Sequence, residues 1–303
     1  MIKNKVIVIL GPTASGKTKL AVELAKKLNG EIISADSRQV YRGMDIGTGK
    51  DLDEYGGIRY HLIDVVDPND QFSLADYQKL AYQAIEDALK RGKLPIVCGG
   101  TGLYISAVVE GYVLPETCNT KHVTQNIRKK LDEMSLDKLL VELEKIDPET
   151  FAIIDQKNRR RVQRALEIFY QTGVTKSAQI SKQKPPYDFL QIGINLPKKT
   201  LYQKIDTRLI ERLKKEGMID EIKNLHENGV SWQRLDDFGL EYRYVSRYLQ
   251  AQLDYQEMVK QLKQAIRQYT KRQMTWFRRD KNIIWVDQKL TDIDHQIKNF
   301  ILN

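Results

Sequence analysis

The segment that most constrains the fold is GPTASGKT at residues 11–18, which follows the apolar run VIVIL and precedes KLAVELAKKL. Gly11, Gly16, Lys17 and Thr18 satisfy the pattern G-x-x-x-x-G-K-[ST]. In this pattern a buried strand ends in a loop whose backbone N–H groups surround phosphate oxygens, and a helix begins at the lysine. Because strand, loop and helix occur in the required order, the segment predicts a site for a phosphate or a diphosphate.

Strand-like and helix-like segments alternate through residues 1–112. The strand candidates after VIVIL are EIISA, YHLIDVV and KLPIVCGG, and Ser73 is placed to cap the helix LADYQKLAYQAIEDALKRG. Such alternation is typical of a parallel sheet that binds its ligands at the carboxyl ends of the strands. We therefore predict an α/β fold, in which a P-loop parallel sheet is flanked by helices.

The pattern changes over residues 113–186, where strand signals disappear and two segments, NIRKKLDEMSLDKLLVELEKI and RRRVQRALEIFYQTG, have helical periodicity. We interpret this region as a helical insertion domain. Over residues 187–303 the chain is predicted to return to the sheet with DFLQIGINL. Long basic helices follow, the first capped by Thr200, and then a last strand, NIIWVD, and a last helix.

Composition narrows the class of partner. The 303 residues contain 49 Lys and Arg against 40 Asp and Glu, a formal net charge of +9, which favours an acidic partner such as a nucleic acid. Two cysteines, Cys98 and Cys118, and four scattered histidines argue against a disulfide framework and a zinc site. The apolar runs are too short for a signal peptide or a membrane span, so we expect a cytoplasmic protein without a membrane partner.

An acidic residue occurs where an acceptor would bind. Asp36 ends the second predicted strand and faces the ligand edge of the sheet beside the glycine-rich loop, although it could simply cap a loop. The strand LPIVCGG ends without the carboxylate that nucleotide hydrolysis requires. Asp36 is therefore suited to receive a proton from an acceptor. Thr101, flanked by Gly99, Gly100 and Gly102, could hydrogen-bond a substrate, and Thr18 could hold Mg²⁺.

Two basic clusters are candidates for nucleic-acid contact. NRRRVQRALE places Arg160 and Arg164 on one helical face with Arg161 beside them, although such a face is often merely solvated. The second cluster, RQYTKRQMTWFRR, interleaves cations with aromatic side chains, as in sites that stack unpaired bases. Its aromatic residues could equally belong to the core of a long helix.

These features favour a transferase with a diphosphate donor and a polyanionic acceptor, whereas a small-molecule kinase would account for the loop and the acid alone. The blocks GPTASGKT, ISADSRQVYRGMDIGTGK, HLIDVVDP, RGKLPIVCGGTGLYI, RRVQRALEIFYQTG and KRQMTWFRRD closely resemble the bacterial tRNA dimethylallyltransferases. The resemblance extends in order from about Val6 to Asp287. The chain departs from the family pattern at GTGKD, where GTAKP is usual, and at FGLEYR, where IGYKE or a similar sequence is expected.

The resemblance implies transfer of the dimethylallyl group from dimethylallyl diphosphate to N6 of adenosine 37 in tRNA, with Mg²⁺ as cofactor and diphosphate as leaving group. It implies catalytic roles for Asp36, Thr101 and Arg208, with Asp36 taking the N6 proton. It also implies the following contacts: for the diphosphate, Gly11, Pro12, Thr13, Ala14, Ser15, Gly16, Lys17, Thr18 and Arg208, with Thr18 also near the metal; for the tRNA, Asp36, Ser37, Arg38, Gln39, Thr101, Arg160, Arg161, Val162, Gln163 and Arg164.

We expect a monomer that binds the anticodon stem-loop. Three other functions are compatible with parts of the sequence: prenyl transfer to a free adenine nucleotide, phosphate transfer by a small-molecule kinase, and tRNA binding without catalysis. The basic insertion argues against the first, since a mononucleotide needs no such surface.

Overall fold

The computed structural model describes residues 4–114, 121–179, 182–287 and 293–302. The chain forms two compact units. The core unit comprises Met1–Val109 and Pro186–Asn303, and the helical unit comprises Glu110–Pro185. No helix in the described part of the chain combines the length and the apolar character needed to cross a membrane.

The core unit is built on a six-stranded sheet in which every described pairing is parallel. The strand order is β3-β2-β4-β1-β5-β6. The strands are β1 (Lys5–Leu10), β2 (Gly30–Ser34), β3 (Tyr60–His61), β4 (Leu94–Gly99), β5 (Asp188–Ile194) and β6 (Ile284–Val286). The α/β fold predicted from the sequence is confirmed, with the phosphate-binding pattern after the central strand β1.

Helices cover the sheet and form a further layer. Those of the core unit are α1 (Lys17–Leu28), α2 (Leu74–Lys90), α3 (Gly102–Glu110), α9 (Lys198–Lys214), α10 (Met218–Glu227), α11 (Trp232–Phe238), α12 (Leu240–Leu249), α13 (Tyr255–Phe277) and α14 (Asp294–Leu302), with a short 3₁₀ helix at Leu52–Tyr55. Alternate residues of β1 serve the two faces: Ile7 and Ile9 pack against the α1 and α14 side, and Val6 and Val8 against the α2 and α3 side. A third apolar core joins helices α9 to α13.

Two details differ from the sequence predictions. The strand predicted over YHLIDVV is limited to Tyr60–His61, because Leu62 (φ 63°) and Asp64 (φ 57°) adopt left-handed backbone conformations that end it. Helix α9 begins at Lys198 after Pro197, so the predicted cap Thr200 lies inside the first turn. The predicted capping of α2 by Ser73 is confirmed by a reciprocal capping box with Asp76.

The helical unit contains α4 (Lys121–Asp132), α5 (Leu136–Ile146), α6 (Pro148–Ile153), α7 (Arg159–Thr172) and α8 (Lys176–Gln179). Its core is formed by leucines of α4 and α5 packed against Val162, Ala165 and Leu166 of α7. Gly173, in the left-handed conformation with φ 70°, ends α7.

Candidate active site

The loop at residues 11–16 connects β1 to α1. Gly16 occupies the N-cap position of α1 with φ 85°, and among the described residues no side chain caps this helix. The first N–H groups of the helix are therefore available to an anion, and the helix dipole favours negative charge there. This local structure is the one that the glycine and lysine spacing predicted.

A cavity of about 90 Å³ opens at the carboxyl ends of the strands. Seven of the residues predicted from the sequence line it: Thr13, Lys17, Thr18, Asp36, Arg38, Gln39 and Arg208. The remaining lining residues are Gly47, Thr48, Gly49, Asp51, Tyr55, Cys98, Gly99, Arg212, Phe238, Gly239, Leu240, Glu241, Tyr242, Ile266, Tyr269 and Gln273. The structure thus brings together the glycine-rich loop, the acid after β2 and both segments that depart from the family pattern.

Two side chains from distant helices hold Thr13. Arg208, on α9, donates a hydrogen bond from Nη2 to Thr13 Oγ1 at 2.5 Å. Gln273, on α13, accepts the Thr13 backbone N–H at 3.1 Å. The loop is therefore fixed from outside the strand–loop–helix unit that carries it, and Arg208 lies at the edge of the predicted phosphate site.

The cavity concentrates positive charge in a partly dehydrated place. Burial lowers the pKa of Lys17, and the nearby Asp36 offsets part of this effect. Burial and the neighbouring Arg212 lower the pKa of Arg208 to about 10. The lowered pKa values show that the charged forms of Lys17 and Arg208 are incompletely solvated and incompletely paired with negative charge. An anionic ligand would therefore be bound strongly here. Burial also raises the pKa of the Cys98 thiol to about 12, which keeps it neutral.

The acidic residue predicted to accept a proton follows β2 directly. Asp36 Oδ1 accepts the Arg38 backbone N–H at 3.0 Å. Thr101 Oγ1 accepts the neighbouring Ser37 N–H at 3.0 Å, and the Thr101 N–H donates to the Ala35 carbonyl at 3.1 Å. Thr101 is not among the cavity-lining residues, so it supports the turn that carries Asp36. A direct contact between Thr101 and an acceptor stays a prediction.

The GTGKD segment is positioned by a half-buried carboxylate that no sequence pattern indicated. Glu221, on α10, accepts the backbone N–H groups of Asp45, Ile46 and Gly47 at 2.8, 2.5 and 3.1 Å. It also accepts the hydroxyl of Tyr242 at 2.9 Å. Because Tyr242 belongs to FGLEYR, this one side chain holds both divergent segments against each other at the wall of the cavity.

The same wall contains an ion pair that sequence reasoning also missed. Arg212 is 3% exposed, and its Nη2 lies 3.1 Å from each carboxylate oxygen of Asp51. Glu241 stands near Arg208 and Arg212, and burial raises its pKa. The aspartate at the end of GTGKD and the glutamate of FGLEYR are therefore the counter-charges of the two cavity arginines. The departure of these two segments from the family pattern was the sequence signal that could have pointed to these charge pairs.

The aromatic residues of the second basic cluster, RQYTKRQMTWFRR, pack within the core unit or line the cavity. Phe277 is buried in the core, and Trp276 Nε1 donates to Ser106 Oγ at 3.1 Å. Tyr269 lines the cavity, and Arg267 is paired with Asp206 at 2.5 Å. Of the two interpretations of this segment, core packing therefore applies to Trp276 and Phe277: both lie in one apolar cluster, and the Trp276 ring packs against Gly102.

Helix α7 of the helical unit carries the five predicted tRNA contacts. Arg160 and Arg161 are exposed, and Gln163 Nε2 donates to Asp132 at 2.8 Å. Arg164 pairs with Glu167 at 3.0 Å. Val162 is fully buried. The expectation of a tRNA contact by Val162 is therefore corrected: its side chain belongs to the core of the unit and anchors the helix that presents its neighbours.

A further cation lies near this face. Burial lowers the pKa of Lys176, on α8, and the adjacent Arg161 lowers it further. Asp147 offsets part of this effect.

The oxygen ligands in the cavity could hold Mg²⁺ only together with a bound diphosphate. Thr18 and the carboxylates of Asp36 and Asp51 line the cavity. Among the described residues, no cluster of three or more His, Cys, Asp or Glu side chains could hold an ion. Mg²⁺ commonly takes one or two protein ligands and completes its shell with phosphate oxygens and water, so the Thr18 hydroxyl beside a diphosphate would suffice.

Comparison with known proteins places the chain among transferases. A family model described as IPP transferase matches residues 39–280. The tRNA dimethylallyltransferase 1 of Syntrophus aciditrophicus (strain SB) is 47% identical over 297 residues, which cover 95% of this chain and 94% of the relative. The tRNA dimethylallyltransferase of Bacillus cytotoxicus is 43% identical, covering 94% of this chain and 90% of that protein.

Solved structures agree. The full-length tRNA isopentenylpyrophosphate transferase of Bacillus halodurans has a TM-score of 0.71 and 40% identity, covering 99% of this chain and 96% of that chain. A eukaryotic dimethylallyltransferase acting on tRNA has a TM-score of 0.78 and 30% identity, covering 98% of this chain and 77% of that chain.

Proposed function

The chain belongs to the IPP transferase family, with tRNA dimethylallyltransferases among its relatives, and we propose that it transfers a dimethylallyl group from dimethylallyl diphosphate to N6 of adenosine 37 in tRNA. The observation that carries this proposal is the cavity in which Lys17, Arg208 and Asp36 meet. The two cations suit a departing diphosphate, and the carboxylate suits an acceptor amine.

In the proposed reaction the C1–O bond of the donor breaks and its electron pair leaves with the diphosphate. Lys17, Arg208 and the first N–H groups of α1 face that developing negative charge. Interactions that strengthen as charge develops lower the barrier rather than only tightening binding. Mg²⁺, held by the diphosphate and the Thr18 hydroxyl, would supply additional charge neutralisation.

The N6 lone pair forms the new C–N bond, and N6 then loses a proton to the Asp36 carboxylate. An exocyclic adenine amine is a weak nucleophile, so a carboxylate that accepts its hydrogen bond has a direct purpose. The backbone bonds to Arg38 and, through Ser37, to Thr101 hold this carboxylate in place. Asp36 is the proposed general base, and Thr101 its support.

The acceptor must present adenosine outside the base stack, which costs a few kcal/mol and less in a loop than in a duplex. We propose that contacts between the exposed arginines of α7 and tRNA phosphates offset part of this free energy. Arg38 and Gln39, which line the cavity, and the adjacent Ser37 are proposed as further tRNA contacts. Gln39 is 9% exposed and already bonded to Ser34 and Gly49, so it acts mainly by shaping the site.

Mass spectrometry of nucleosides tests the proposal. Unmodified tRNA is incubated with the protein, Mg²⁺ and dimethylallyl diphosphate, with parallel reactions in which AMP replaces tRNA or ATP replaces the donor. We expect prenylated adenosine in the tRNA reaction alone, and no product from a Lys17→Met variant. Prenyl-AMP would assign the enzyme to free nucleotides, and phosphate transfer from ATP would assign it to the kinases.

A further inference from the structure

Gln273 is a buried amide whose two ends bind two different loops. The residue is 5% exposed and lies in the last two turns of α13. Its Oε1 accepts the Thr13 N–H at 3.1 Å, and its Nε2 donates to the Gly100 carbonyl at 2.8 Å. Rotating the amide by 180° would oppose donor to donor and acceptor to acceptor, so both bonds fix its orientation.

Each of these loops carries one side of the cavity. Thr13 belongs to the glycine-rich loop, where its hydroxyl is held by Arg208. Gly100 precedes Thr101, whose side chain and N–H hold the turn that contains Asp36. Hydrogen bonds of Gln273 and Thr101, joined by the Gly100–Thr101 peptide, therefore connect the diphosphate loop to the two neighbours of the proposed general base, Ala35 and Ser37.

We propose that Gln273 is a positioning residue that sets the separation between the diphosphate loop and the Asp36 turn. The inference rests on the proposed function, because the separation matters when a group passes from a donor on one loop to an acceptor beside the other. Group transfer requires reacting atoms about 3–3.5 Å apart, and a displacement of about 1 Å can cost roughly 100-fold in rate.

Gly100 shows how little space this arrangement leaves. A Cβ at residue 100 would lie 2.5 Å from Gln273 Nε2, whereas its distances to the Gly11 carbonyl and Lys17 Nζ would be 3.4 and 3.6 Å. The first distance is a clash and the other two are ordinary contacts. An alanine at this position would therefore displace the amide, and its Cβ would not itself clash with Gly11 or Lys17.

Steady-state kinetics with tRNA and dimethylallyl diphosphate test the proposal first. Gln273→Met keeps the length of the side chain and removes both hydrogen bonds. We expect kcat to fall about 10- to 100-fold while both KM values stay within about threefold. Gln264→Met, an exposed change on the same helix, is the matched control and should retain kcat. A normal kcat in Gln273→Met would overturn the proposal.

A double-mutant cycle tests whether Gln273 acts through its hydrogen bond to Gly100. If Gln273 acts through Gly100, Gly100→Ala should lower kcat by a similar factor, and Gly100→Ala combined with Gln273→Ala should be no worse than Gln273→Ala alone. Multiplication of the two defects would show that the glycine and the amide act separately, and would refute the connection.

Hydrogen exchange supplies a readout that does not depend on turnover. Inorganic pyrophosphate should slow exchange in residues 11–18 and also in residues 99–106 of the native protein. In Gln273→Met, protection should remain at 11–18 and disappear at 99–106. Equal protection at both places would overturn the proposal even if the native protein prenylates no tRNA, whereas native inactivity with coupled protection would contradict only the proposed function.

Discussion

Replacing Arg208 with methionine should separate catalysis from folding. The guanidinium lines the cavity and donates to Thr13 Oγ1 at 2.5 Å. Removal of one preorganised donor from a developing oxyanion typically costs about 2.7–4 kcal/mol. We therefore expect kcat to fall by about 10²- to 10³-fold, since each 1.36 kcal/mol is a factor of ten.

The same substitution should not weaken the ligand-free fold. Burial and Arg212 lower the pKa of Arg208 to about 10, so the charged side chain opposes folding at neutral pH. A lowered folded-state pKa means that the unfolded chain holds this proton more tightly, and the penalty is relieved only as pH rises above about 10. Methionine removes the charge, so the Tm without ligand should stay equal or rise.

Differential scanning calorimetry with and without pyrophosphate measures both consequences. A ligand at 100 times its Kd adds about 2.7 kcal/mol of stability, and a 100-fold loss of affinity reduces that gain to about 0.4 kcal/mol. Lys204→Met, an exposed cation on the same helix, should preserve both kcat and the pyrophosphate shift. A Tm several degrees lower with kcat and the shift intact would show that Arg208 is structural.

Three further outcomes are expected. Asp36→Ala should lower kcat far more than tRNA affinity, measured by filter binding, and an equal loss of both would make Asp36 a binding residue. Arg160→Ala with Arg164→Ala should weaken tRNA binding and reduce its salt slope by about 0.7–0.9 for each phosphate that is no longer neutralised; an unchanged slope would mean that this face of α7 is only solvated. Because burial lowers the pKa of Lys17, pyrophosphate affinity should fall as rising pH removes its proton, and Lys17→Arg should abolish that fall; calorimetric titrations giving the same pH profile for both proteins would argue against a charged Lys17 in the site.

The local parts of the site could be predicted from the sequence because their determinants are contiguous. The loop from Gly11 to Thr18 folds through its own glycine positions and the adjoining strand and helix. Asp36 could be placed because the carboxyl end of a parallel strand faces the ligand edge. The error at Thr200 was also local, since Pro197 precedes the helix and places the threonine in its first turn.

The supports of the site could not be predicted because their partners are distant in the chain. Gln273 lies 260 residues from Thr13 and 173 from Gly100. Glu221 lies 176 residues from Asp45, and Arg212 lies 161 from Asp51. Periodicity identifies which face of a helix is apolar, but it does not say which loop a polar side chain on that helix will meet.

The order of the strands has a consequence for how the chain is made. The central strand β1 pairs with β5, and Lys5 and Asp188, which form an ion pair across that pairing, are 183 residues apart. At about 5–20 residues per second, a ribosome needs roughly 10–40 s to synthesise that interval. During this time one edge of β1 lacks its neighbour, and the helical unit, which ends at Pro185, is itself finished only three residues before β5 begins at Asp188. Vectorial synthesis should therefore leave the nascent sheet dependent on protection from aggregation until β5 emerges.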